Sequence, residues 1–196
     1  MSEQAQVLLA SFGPVSAGMA AHILLMNLLA PAVAIWGSAV LAPAARRVPG
    51  LVAAMVVQLL LLWAWHAPPS LAAAMGQPAL HLVMQFSLTI AAVWFWLAVV
   101  DAAASRPWRA IAALLVTSKV FCLLGVLLTF APRSLYPPIA HHGGVAADPL
   151  ADQQLAGLMM LLACPLSYLV AAVVVASRWL LSSDSSPNGN EGVKVA

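Results

Sequence analysis

Long apolar runs, each near the length of a bilayer crossing, alternate along this chain with short polar breaks. Five can be drawn, at 17–41, 50–66, 79–100, 108–130 and 152–180. A hydrocarbon core of about 30 Å needs about 20 apolar residues in helical form. Backbone N–H and C=O groups in lipid also need partners within their own segment, which a helix supplies. The pattern therefore predicts an all-α, polytopic transmembrane helix bundle of about five spans, forming one domain over residues 1–181. Pro31 and Pro165 fall inside the first and fifth runs and predict kinks there. From Ser182 the chain turns to SSDSSPNGNEGVKVA, polar and rich in Ser and Gly, so residues 182–196 are expected to be a disordered tail. The opening MSEQAQVLLASFGP carries Glu3 where a cleavable signal has basic residues, so it is expected to be retained.

Composition removes alternatives. The 196 residues are 63% hydrophobic and 7% charged, with mean hydropathy +0.97, whereas a soluble domain carries about 25% charged residues. No basic cluster exceeds Arg46-Arg47, which excludes a nucleic-acid surface. Cys122 and Cys164 both lie inside apolar runs, so they are read as small buried hydrophobes rather than a disulfide framework.

The placement of the basic residues predicts orientation. Arg46, Arg47, Arg106, Arg109, Arg178 and Lys194 fall on one side of the five-span arrangement, against Arg133 alone on the other. Lys and Arg collect on the cytoplasmic side, so the N-terminus is expected outside and the C-terminus in the cytoplasm. Trp63 and Trp65 then mark the outer interface, with Trp94, Trp96, Trp108 and Trp179 near the inner one.

This topology puts all five histidines at the outer face: His22 early in span one, His66 at the end of "LLWAWHAPP", His81 at the start of span three, and His141 with His142 in "PPIAHHGG". Sulfur accompanies them at helical spacing. Met19, His22 and Met26 form one stripe, and His81, Met84 and Gln85 another. Imidazole with thioether is a soft donor set that favours copper, Cu(I) above all, over magnesium or calcium; zinc stays open on histidine alone. The expected metal ligands are His22, Met26, His66, His81 and Met84, with His141 and His142 as an accessory capture pair.

Polar groups inside the spans need an account too. Lys119 lies near the middle of span four, at a depth similar to Asn27, Gln58 and Thr89, and a shared polar layer would satisfy all four. Cys122 and Cys164 could form a deeper thiol relay. Asp152, opening span five, can cap its own helix or hydrogen-bond the free nitrogen of a ligating histidine.

"LLWAWHAPP", "RSLYPP" and "DQQLAGLMM", in that order and spacing, resemble the CtaG-like assembly factors of caa3-type cytochrome c oxidase, with the likeness extending over residues 17–181. The resemblance implies importance for His66 with Trp65 and Pro68, for the Leu135-Tyr136-Pro137 turn, for Asp152, Gln153 and Gly157, and for a span-one histidine, here His22. Many relatives have a second histidine one turn along that helix, where this chain has Met26, and many have seven spans, so this is a compact version. The implied function is a non-enzymatic assembly factor in the bacterial cytoplasmic (inner) membrane. It would bind copper at the periplasmic face and help deliver it to cytochrome c oxidase subunits, possible partners including a periplasmic copper donor. Two alternatives stand beside it: a b-type haem electron carrier with two histidines across the ring, and a metal-free scaffold for oxidase subunits. A copper transporter is disfavoured, because few donors lie below the polar layer.

Overall fold

The computed structural model describes residues 13–40, 50–136 and 148–184, and its regular structure there is helical throughout. Six helices follow in order: α1 (Pro14–Val40), α2 (Leu51–His66), α3 (Pro68–Gly76), α4 (Pro78–Ser105), α5 (Pro107–Thr129) and α6 (Pro149–Asp184). Pro14, Pro68, Pro78 and Pro107 each stand in the first turn of their helix, where a backbone N–H would lack a helical partner in any case.

Helices α1, α4, α5 and α6 are each long and apolar enough to cross a membrane, and α2 with α3 makes a fifth, bent candidate. The chain is a multi-pass membrane protein. The second span keeps its expected bounds, α2 having 16 residues and stopping at His66, but the stretch between spans two and three folds as a further helix, α3, at 73° to it. Pro68 disfavours the helical conformation for the residue before it, and Ala67 is extended (φ −60°, ψ 136°). At the other end of the chain α6 continues through 182–184, the first residues of the expected tail; the rest of that tail lies outside the described residues.

Helix α1 contains a widened π turn at Leu25–Leu29. Pro31 follows directly and has no N–H to return to the helix, which loosens the turn before it. Trp96 of α4 reaches into this turn and donates its Nε1–H to the Met26 carbonyl at 3.1 Å.

The tightest packing joins α5 and α6. A Cβ on Gly157 would lie 2.5 Å from Thr129 Oγ1 and 2.8 Å from the Gly125 carbonyl, so only hydrogen fits there. Small residues bring helix backbones together in this way inside membranes. At mid-bundle Tyr168 is fully buried, with Trp96, Phe121 and Phe95 at ring separations of 5.1, 5.4 and 5.9 Å. Large apolar side chains such as Ile35, Ile90 and Leu162 face outward, as hydrocarbon solvent allows.

The expected shared polar layer does not form among the described residues: none of Asn27, Gln58, Thr89 and Lys119 bonds another. Asn27 accepts from Ser167 Oγ at 2.9 Å and donates to Cys164 Sγ at 3.5 Å, and Gln58 Nε2 donates to Tyr168 Oη at 2.8 Å. Thr89 turns back to its own helix, donating to the Gln85 carbonyl. Lys119 is exposed. The inward face of α5 is Thr117, Ser118, Phe121, Leu124 and Gly125, and at 100° per residue position 119 falls on the reverse of it.

Candidate functional site

One end of the bundle collects the start of α1, the end of α2, helix α3 and the start of α4. Pro14, Val15, Gly18, Met19, His22, His66, Leu71, Met75, His81 and Met84 surround a cavity of about 20 Å³ there, room for roughly one water-sized guest. Three histidines and three methionines thus share one small space.

The hydrogen bonds around the imidazoles decide which nitrogens are available. His66 Nδ1 lies 2.7 Å from the Leu62 carbonyl one turn back. A carbonyl only accepts, so Nδ1 carries the proton, and in the uncharged ring Nε2 keeps a lone pair. His66 is buried, and Nε2 has no hydrogen-bond partner among the described residues. His22 is arranged alike: its Nδ1 donates to Gln85 Oε1 at 2.7 Å. Gln85 Nε2 in turn approaches His81 Nε2 at 3.3 Å. The His22 and His66 rings sit edge to face with centroids 5.7 Å apart. A protonated nitrogen tied to an oxygen and an opposite nitrogen left free is how proteins prepare imidazole to bind a metal.

Among the described residues no three His, Cys, Asp or Glu side chains converge as a metal site. The lining of the cavity sets imidazole beside thioether instead. Met84 lines the cavity as expected and Met26 does not. Met26 is buried elsewhere, one helical turn farther along α1 than His22. Met19 and Met75 line the cavity in its stead. Met75 escaped sequence reading because 68–76 looked like a connection; the available signal was Pro68 opening a run that ends at Gly76. His141 and His142 lie outside the described residues.

A frame of satisfied polar groups surrounds the cavity, and in it Asp152 caps a helix other than its own. Asp152 sits on α6 but caps α1: its carboxylate accepts from the backbone N–H of Gly13, Val15 and Ser16 at 3.0, 2.9 and 3.0 Å. Its own helix is capped by Asp148, which accepts from Leu150 N–H at 3.1 Å. A carboxylate at a helix N-terminus meets both the unpaired donors and the dipole. A Cβ on Gly13 would overlap this carboxylate, which is why glycine stands there. Gln153 accepts from Leu135 N–H at 2.7 Å and donates to the Leu128 carbonyl at 3.2 Å, tying the loop after α5 to α6. Tyr136, in that loop, donates to the His66 carbonyl at 3.1 Å. Burial pushes its phenol up to about 12, so it stays a donor through the neutral range. Trp65 donates to Ser87 Oγ at 3.0 Å, joining α2 to α4. The residues of all three quoted motifs therefore meet around His66.

Comparison with known proteins agrees with these motifs. No curated protein and no solved structure matches the chain. The family model described as cytochrome c oxidase caa3 assembly factor (Caa3_CtaG) matches residues 4–182. With nearly its whole length matched, the chain belongs to the cytochrome c oxidase caa3 assembly factor family.

Proposed function

We propose that this chain is an assembly factor of the bacterial cytoplasmic membrane that holds Cu(I) in the histidine–methionine cavity and hands it to an immature cytochrome c oxidase. The observation that carries the reading is His66 Nε2: a buried lone pair, unpartnered, on the wall of a cavity that His22, His81, Met19, Met75 and Met84 also line. A buried polar atom without a partner is uncommon and needs a reason. A soft cation supplies one, and thioethers beside imidazoles suit Cu(I). Thioether contacts are weak enough to exchange, so His and Met side chains can release their cargo to a stronger acceptor site without a chemical step. The distribution of Lys and Arg supports a periplasmic location for this end of the bundle, where an oxidase subunit and a soluble copper donor would both have access to it.

The cavity's size favours an ion over haem, since a porphyrin needs a slot between its two imidazoles and about 20 Å³ seats a single small guest. Gln58 Oε1 and Thr117 Oγ1 are unpartnered too, but of the three residues only His66 lines the cavity beside other donor side chains, which favours the metal over a metal-free scaffold.

Metal analysis of the purified protein tests the proposal. Wild type retains close to one copper per chain when loaded under reducing conditions, and the variant His22→Ala/His66→Ala/His81→Ala loses it. Equal copper in both rejects the site. Normal oxidase activity in cells carrying the triple variant would favour the scaffold.

A further inference from the structure

Lys119 has no part in the cavity or its frame. It is twelve residues after Pro107 and ten before Thr129 in α5, which places it about 18 and 15 Å from the two helix ends at 1.5 Å per residue. A lysine can snorkel its charge to a nearby interface, but a stem of four methylenes is much shorter than either distance. Its neighbours on the same outward stripe are Leu115, Leu123, Val126 and Phe130, all exposed. The stripe is an apolar helix face with one cation at its centre.

Nothing within the described residues neutralises that cation, for Lys119 has neither an ion-pair nor a hydrogen-bond partner among them. The chain has six acidic residues: Glu3, Asp101, Asp148, Asp152, Asp184 and Glu191. None falls in the middle of a described span, and the Asp152 carboxylate is taken by three backbone donors. The described spans of a second copy therefore offer no carboxylate at the right depth. An ionisable residue in the bilayer is costly and points to a partner, and here the partner has to come from another polypeptide.

We propose that the Leu115–Lys119–Leu123–Val126–Phe130 face of α5 docks a transmembrane helix that carries an Asp or Glu near the bilayer midplane. Resting on the assembly reading above, that helix belongs to a subunit of the oxidase. Leu and Phe side chains pack against the incoming helix, and the Lys119–carboxylate pair fixes depth and register, since a shift of one turn along the helix separates the charges in hydrocarbon. The docking face lies on α5, which does not line the histidine–methionine cavity, so holding the subunit and holding the cargo are separate tasks of one molecule.

The test uses the full chain in membranes that contain the oxidase, with a photoreactive phenylalanine replacing Leu123. Crosslinked peptides are sequenced by mass spectrometry, and copper per chain is measured on the same preparations. The expected product joins α5 to an oxidase transmembrane peptide with Asp or Glu within a turn of the crosslink. Lys119→Met loses this product and Lys119→Arg retains it. Lys119→Glu loses it and regains it when the partner's acidic residue is changed to Lys. Copper stays at the wild-type level in each variant. Crosslinks only to lipid, to a second copy of this chain, or to a helix without an acidic residue overturn the inference, as does an undiminished crosslink in Lys119→Met. Copper lost from Lys119→Met also overturns it, by marking the lysine as structural. A triple histidine variant that loses copper but keeps the crosslink would support the docking face, and a wild type that crosslinks as expected but holds no copper would reject the metal reading alone.

Discussion

At the histidine end of the bundle, Asp152, Gln153 and Tyr136 each make the hydrogen bonds their chemistry allows, whereas His66, beside them, keeps one nitrogen with no partner. Both groups are buried and polar, yet they serve opposite ends. The first is joinery: a carboxylate on the last helix holds the start of the first, and a glutamine pins the loop that carries Tyr136. The second is left open, and it borders the cavity. Satisfied polar atoms build the frame, whereas the unpartnered His66 nitrogen, like Gln58 Oε1 and Thr117 Oγ1 deeper in the bundle, contributes no bond to it.

The contrast can be broken from either side. The largest effect on stability is expected from Asp152→Ala, which leaves three buried backbone donors unpaired. It should cost about 3–5 kcal/mol, read as a fall in unfolding midpoint in detergent, with copper lost because α1 no longer holds His22 in place. Gly157→Ala should cost about 1–3 kcal/mol through overlap with α5, in the same assay, and a larger residue more. Tyr136→Phe removes one hydrogen bond to the His66 carbonyl and should cost about 1 kcal/mol. Because the phenol of Tyr136 is held up at about 12, its contribution should not change between neutral and mildly alkaline pH; a stability difference between wild type and Tyr136→Phe that disappears there would contradict this. The smallest effect sharpens the cavity side. Met84→Leu should weaken Cu(I) binding in a competition titration with a chelator, whereas Met26→Leu should leave it at the wild-type value.

Helix number was legible because lipid enforces it: run length alone picks out segments that must satisfy their own backbones. That His22, His66 and His81 line one cavity was legible for a related reason, since alternating spans return each histidine to the same end. The face of α5 was misread at Lys119. Depth can be counted along one helix, but which side turns inward depends on the positions of Thr117, Ser118, Phe121 and Gly125 together. Met26 shares spacing with His22 but lies a turn farther along α1, and spacing alone does not show where the cavity ends. Asp152 capping a helix 136 to 139 residues distant left no local trace at all; only the assembled bundle brings Gly13 and Asp152 together.

The short second span has one more consequence. At 1.5 Å per residue, the 16 residues of α2 cover about 24 Å, less than the roughly 30 Å of an average hydrocarbon core. A span too short for its bilayer draws the headgroup layer down toward it. By that rule a bilayer of average thickness would thin where α2 ends and bring water closer to that rim of the bundle.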